Sequence, residues 1–165
     1  MPALTVGSIA PKFSLPNLGG KKFDLKTALQ EGPVLLAFFK VSCPTCQMAF
    51  PFLERIHRNY GSVRLAIVGV SQNDGKDTAD FLKKYAITFP VLLDETKKFP
   101  VSNAYGLTNV PTLFWIAQDG TIEISSIGWA RKDVEDINRR VADETKLEFH
   151  PLLHPGEQVV EFRAG

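Results

Sequence analysis

Two kinds of hydrophobic pattern alternate along the chain. Val34-Leu35-Leu36-Ala37-Phe38-Phe39 is an unbroken apolar run, too short for a typical helix and followed by Ser42 and Pro44, so it reads as a central strand buried on both faces. From Pro44 to about Tyr60 the spacing becomes helical: Met48, Phe52 and Ile56 recur every fourth residue, with Pro51 placed to kink the helix and Gly61 placed to cap it. Val63 to Val70 is a second strand-like run, Ser71 to Gly75 a polar loop, and Asp77 to Tyr85 a helix with Phe81, Leu82 and Tyr85 on one side. Phe89 to Leu93 reads as a short strand, and Lys97 to Tyr105 as a short helix interrupted by Pro100 and ended by Gly106. Thr112–Ala117 and Thr121–Ile127 flank the turn Gln118-Asp119-Gly120 as a hairpin. Val134, Ile137 and Val141 then mark a helix from Arg131 to about Glu144. Upstream, Phe13-Ser14-Leu15 is a candidate edge strand, joined through Gly19-Gly20 to Lys22–Leu25, with a helical turn over Lys26–Gln30.

The order strand, helix, strand, helix, strand, hairpin, helix predicts parallel pairing in the first part of a sheet and antiparallel pairing where the hairpin closes it. No linker or repeat divides the 165 residues, so the expectation is one domain over 1–165, with a core at about 6–144 and an extension over 145–165. Pro151 and Pro155 punctuate that extension, and Gln158–Phe162 is a candidate short strand in it. Hydrophobic residues at 44% and charged residues at 22% fit an ordinary globular core and exclude disorder of the whole chain. With 19 basic and 18 acidic side chains the net charge is +1, which argues against a nucleic-acid binder and against a polybasic membrane anchor. The longest apolar run falls far short of the roughly 20 residues of a membrane span. Met1 to Pro11 lacks the pattern of an export signal, so the expected location is cytoplasmic if the chain is unprocessed and periplasmic if it is a mature fragment.

The only two cysteines are Cys43 and Cys46. A bridge between them would close a tiny loop and add little stability by chain entropy, so the pair points to chemistry rather than scaffolding. It lies where the buried strand hands over to a helix. Cys43 falls at or near the cap and Pro44 at the first helical position. The unpaired N–H groups there favour a thiolate, so the expectation is a depressed Cys43 pKa and an attacking thiol. Cys46, three positions on, shares a helix face with Cys43 and is more enclosed, which suits a resolving thiol. Pro44 and Thr45, between the two, and Lys40, at the strand end, complete the expected environment of the active site. Val110-Pro111-Thr112, before the strand that opens the hairpin, is the other candidate element: a cis Val110–Pro111 bond beside the cysteines would expose the Val110 backbone to an extended substrate.

Together these residues resemble the thioredoxin superfamily, and within it the TlpA/ResA-like thiol–disulfide oxidoreductases of the AhpC/TSA redoxin group. The likeness spans about residues 6–140. It is carried by Val6-Gly7-Ser8-Ile9-Ala10-Pro11-Lys12-Phe13-Ser14-Leu15, by Cys43-Pro44-Thr45-Cys46 with Pro51, by Val70–Asp94 as a TlpA-type insertion, and by Tyr105–Thr112 followed by Asp119-Gly120. The resemblance implies an α/β, thioredoxin-like fold, with a central mixed sheet, helices on both faces and an N-terminal extension. It implies a cis proline at 111, substrate contact at Val110 and Pro111, and disulfide exchange with a protein or small-molecule thiol partner, without a cofactor. Three positions depart from the family pattern: Ser42 replaces a tryptophan, Ala37 a buried aspartate, and Ala49 a glutamate that serves the second cysteine. Lys40 or water is then the candidate proton route.

Two other readings stand beside this one. A thiol peroxidase would carry P-x-x-x-T-x-x-C, and neither cysteine has that spacing upstream. A non-enzymatic module would use the fold for partner docking or bind zinc; zinc would pair the cysteines with His150 and His154, but over a hundred residues separate the two halves, and Pro151 and Pro155 argue against a helical His pair. His57 is expected on the helix surface, and Trp115 and Trp129 in packing or at a groove rim.

Overall fold

The computed structural model describes residues 2–61 and 64–165. The elements run β1 (Ser14–Pro16), β2 (Lys22–Asp24), α1 (Leu25–Glu31), β3 (Val34–Phe39), α2 (Pro44–Tyr60), β4 (Ala66–Ser71), α3 (Gly75–Lys84), β5 (Val91–Leu93), α4 (Pro100–Ala104), β6 (Thr112–Ile116), β7 (Ile122–Ile127), β8 (Trp129–Ala130), α5 (Arg131–Thr145) and β9 (Phe162–Arg163). The main sheet has the order β5-β4-β3-β6-β7, parallel across β3, β4 and β5 and antiparallel across β3, β6 and β7.

The central strand β3 is buried along its whole length, as its unbroken apolar run requires. Its side chains divide by parity. Leu35, Ala37 and Phe39 join a core with Phe50, Leu53 and Ile56 of α2, Phe81 of α3, and Val134, Ile137 and Val141 of α5. Val34, Leu36 and Phe38 face a second core with Leu25, Val101, Tyr105 and Phe114. Helices therefore cover both faces, and the strand ends with its C-terminal edge at the cysteine pair.

Several boundaries differ from the sequence expectation for definite reasons. The third helix begins at Gly75, because the Asp74 side chain accepts from the Asp77 N–H and caps it. Pro100 opens α4 as its first residue instead of interrupting it. The buried Asp94 carboxylate takes up the Val101 and Ser102 N–H groups at that helix start. The strand expected over Val63–Val70 is β4, shifted to Ala66–Ser71, with Val63 outside the described residues; that expected over Phe89–Leu93 is confined to Val91–Leu93. Pro51 lies inside α2 on its exposed side, and the helix continues through it to the Gly61 cap. His57 is only partly exposed, and its Nδ1 is buried without a hydrogen-bond partner among the described residues. Trp115 and Trp129 are both buried packing residues. No helix among the described residues is long and apolar enough to cross a membrane.

The extension after α5 folds back over the α2/α5 side. Leu152 is buried in the first core, Tyr60 Oη bonds both the His150 N–H and the His150 carbonyl, and Arg55 donates to the Leu152 carbonyl and to both oxygens of Glu157. The chain then forms β9, which pairs antiparallel with β8 through Trp129↔Arg163 and Ala130↔Phe162. The expected short strand exists, but at Phe162–Arg163 rather than Gln158–Phe162.

Phe50 lies where α2 meets β3 and α3, its ring 4.3 Å from Phe39, 5.7 Å from Phe81 and 5.6 Å from Phe89, centroid to centroid. Replacing it by alanine is expected to cost about 3–5 kcal/mol, read from the guanidinium midpoint at unchanged slope. The Arg55 hydrogen bonds, with the His154 N–H, hold the Glu157 carboxyl at about 2, below its ordinary 4.5. A depressed acid stabilises the fold fully above the unfolded value and loses that contribution as pH falls through the folded one. The hold on the extension should thus weaken between about pH 4.5 and 2, seen as a change in Trp129 fluorescence that Glu157→Gln makes much less acid-dependent.

Candidate active site

The site is built at the junction of β3 and α2. Gln72 N–H bonds the Phe39 carbonyl at 3.0 Å. Asn73 Oδ1 accepts the Val41 N–H at 2.9 Å, and Gln47 Nε2 donates to the Val41 carbonyl at 2.9 Å. These three contacts clamp residues 40–43 between the polar loop after β4 and the first turn of α2. In the sequence, Gln72 and Asn73 read only as a polar loop, because their partners lie more than thirty residues away.

Cys43 is the N-cap of α2 and Pro44 its first residue, as expected. The Cys43 sulfur accepts the Cys46 N–H at 3.1 Å, the place a serine or aspartate oxygen takes in an ordinary cap. From the other side, Cys43 as a thiol donates to the Val110 carbonyl at 3.4 Å. The two contacts act on different protonation states. The amide favours negative charge on sulfur, while the carbonyl favours the S–H. Both cysteines are free; Cys43 is partly exposed and Cys46 fully buried. Burial, reinforced by the neighbouring Cys43 sulfur, pushes the Cys46 thiol well above its ordinary range. Ala37 and Ala49 are buried apolar residues, so these two positions give Cys46 no acid or base.

The Val110 carbonyl meets the Cys43 sulfur, and the Val110–Pro111 peptide bond is cis. Among the described residues no acceptor takes the Val110 N–H, and Thr112 Oγ1 holds this loop by donating to the Asn109 carbonyl at 2.8 Å. The Pro111 carbonyl accepts the Gly128 N–H at 2.8 Å, which joins the proline loop to β8. Lys40 is brought to the site through its backbone: its carbonyl accepts the Cys43 N–H at 3.2 Å, while its side chain is exposed and makes no hydrogen bond or ion pair among the described residues. It lines a polar cleft of about 230 Å³ with Gln72, Phe99, Ser102, Asn109 and Val110. Thr45 is buried, and its hydroxyl donates to the Ala164 carbonyl at 2.7 Å. No local signal in the sequence pairs residues 119 positions apart.

The zinc reading needs four side chains to converge, and they do not. His150 lies against Tyr60, with ring centroids 5.8 Å apart. Among the described residues no group of three or more His, Cys, Asp or Glu side chains is arranged to hold a metal.

The geometry is that of a vicinal dithiol with an accessible and a sealed sulfur, and comparison with known proteins agrees with it. Residues 6–125 match the AhpC/TSA family. The thiol-disulfide oxidoreductase ResA of Bacillus subtilis is 31% identical over 156 residues, covering 94% of this chain and 79% of that protein. ResA of Geobacillus thermodenitrificans is 30% identical over 140 residues, covering 84% and 78%. Among solved structures, a secreted disulfide oxidoreductase of Mycobacterium tuberculosis superposes with a TM-score of 0.65 at 25% identity, covering 79% of this chain and 95% of that one. The thioredoxin domain of a thiol-disulfide oxidoreductase from Bacteroides vulgatus, at 19% identity, shares the fold with a TM-score of 0.73, covering 84% and 98%. The chain therefore belongs to the AhpC/TSA family, has the thioredoxin-like fold, and is a thiol-disulfide oxidoreductase of the ResA type with Cys43 and Cys46 as its cysteine pair.

Proposed function

We propose that Cys43 is the attacking thiol and Cys46 the resolving thiol in exchange with disulfides of polypeptide or small-thiol partners. The observation that carries this reading is the asymmetry of the pair: one sulfur is reachable and receives a helix-start amide, the other is fully buried three residues on. In the reducing direction, Cys43 thiolate attacks one sulfur of the substrate disulfide, a Cys43–substrate disulfide forms, and the other half leaves as a thiolate that takes up a proton. Cys46 then loses its proton and attacks the Cys43 sulfur. The Cys43–Cys46 bond forms, the Cys43–substrate bond breaks, and the second half leaves as thiolate. Two electrons pass from the dithiol to the substrate, and the two thiol protons end on the two product thiols.

Pushing the Cys46 pKa up by burial keeps this thiol protonated and silent until the mixed disulfide is in place. With alanine at positions 37 and 49, the departing substrate thiolate is the fitting acceptor for its proton. The Val110 N–H, without an acceptor among the described residues and on the residue whose carbonyl meets the Cys43 sulfur, suits main-chain pairing with an extended substrate, and Pro44 shapes the first turn that presents the sulfur. The cleft containing Lys40 adjoins the same edge and is the expected place for a substrate side chain.

Two results follow. Cys46→Ala should accumulate a mixed disulfide through Cys43, visible by non-reducing electrophoresis and mass spectrometry, and Cys43→Ala should lose turnover altogether. At neutral pH, brief iodoacetamide treatment of the reduced protein should label Cys43 and leave Cys46 unlabelled until denaturant is added; equal labelling of both would contradict the assigned roles.

A further inference from the structure

The extension does not end beside the site; it lies across it. Running toward the cysteines, it makes successive main-chain contacts. The Trp129 indole N–H donates to the Val160 carbonyl at 2.8 Å, the Arg131 N–H donates to the Glu161 carbonyl at 2.9 Å, and β9 pairs with β8. Thr45 Oγ1, between the two cysteines, then donates to the Ala164 carbonyl. Gly165 rests on the Val110 carbonyl, the same oxygen that the Cys43 thiol contacts. The approach there is backbone to backbone: a Cβ on Gly165 would lie 1.8 Å from the Val110 oxygen, and one on Gly128 would lie 2.7 Å from the Arg163 oxygen.

We propose that Glu161–Gly165 is an intramolecular occupant of the polypeptide-substrate groove, and that an extended disulfide-bearing polypeptide displaces it to reach Cys43. The inference rests on the reading that substrate main chain pairs at the Val110 edge. It adds Thr45 and the β8 edge as groups that read substrate backbone, since they already hold a peptide there.

The segment is built to be displaced. Its side chains point outward, Phe162 being 62% exposed, and its hold consists mainly of backbone hydrogen bonds that a substrate strand can replace one for one. Upstream it is anchored by Leu152 in the core and by the Arg55–Glu157 pair, only four residues before Glu161. A tether that short keeps the segment at a high effective concentration, on the order of millimolar, so it competes with free polypeptides even if its own affinity is low. A small disulfide needs neither β8 nor Thr45 and is not subject to the same competition.

The test compares the full chain with a variant lacking residues 161–165 and with the full-length Gly165→Val variant, each checked for native circular dichroism. Deletion is expected to lower KM for insulin disulfides, raising kcat/KM about tenfold, while turnover of hydroxyethyl disulfide changes less than about twofold. An acetylated Glu-Phe-Arg-Ala-Gly peptide should inhibit the deletion variant competitively against insulin. Gly165→Val should shift KM in the same direction, and it decides the matter should the deletion variant not fold. Unchanged insulin kinetics in a folded variant, or equal acceleration of both substrates, overturns the proposal. If full-length and deletion proteins carrying Cys46→Ala trap insulin at equal rates, the tail proposal alone fails; if neither traps it, the exchange reading fails.

Discussion

Everything at this site depends on one amide aimed at one sulfur. The Cys46 N–H can donate to Cys43 only because α2 begins one residue after Cys43, and α2 begins there because Pro44 ends the strand exit and suits the first helical position. That start is fixed in space by β3, whose six buried side chains leave the strand no freedom to slide: a shift of one residue would exchange the two cores it separates. The same constraint seals Cys46, since its side chain falls on the α2 face packed against β3. The exposure of the first sulfur at a helix start and the burial of the second are thus two consequences of placing that start at the end of a doubly covered strand.

The clamp around residues 40–43 explains how this loop carries reactive chemistry without being loose. The Phe39 carbonyl and both main-chain groups of Val41 are taken up by Gln72, Asn73 and Gln47, so the turn into α2 is held from two directions. Such support fixes the backbone that presents Cys43. The proline loop is tied in a comparable way through Thr112 and Gly128, which couples the Val110 edge to β8.

What could be read from the sequence follows from the range over which its information acts. The unbroken run of β3, the helical spacing of α2 and α5, the hairpin turn at Asp119-Gly120 and the CxxC pair at a strand–helix junction are local patterns, and each found its place. Helix starts escape local pattern where a side chain acts a few residues away: Asp74 starts α3 early, and Asp94 makes Pro100 a beginning rather than a break. The long-range polar contacts were illegible. Nothing near Thr45 indicates that its hydroxyl meets Ala164, and nothing in residues 145–165, whose apolar positions follow no helical or strand period and are punctuated by two prolines, shows that they wrap α2 and return to the cysteines. The departures at Ala37 and Ala49 are legible as missing acids in the sequence itself, and the structure adds that both alanines are buried.

That missing acid has a consequence for how the two half-reactions are coupled. A buried carboxylate near the second cysteine would let it ionise independently of substrate. In the proposed exchange, the burial that favours the protonated Cys46 thiol ties its attack to the arrival of a leaving group able to accept the proton. The rate of resolution then depends on the substrate: a leaving thiol of low pKa departs readily but is a poor base, and one of high pKa is the reverse. The Val110 carbonyl steadies the resting thiol, and the Cys46 amide receives the charge when the proton leaves. On the proposed roles, the same sulfur is thus partnered both before and after its proton leaves.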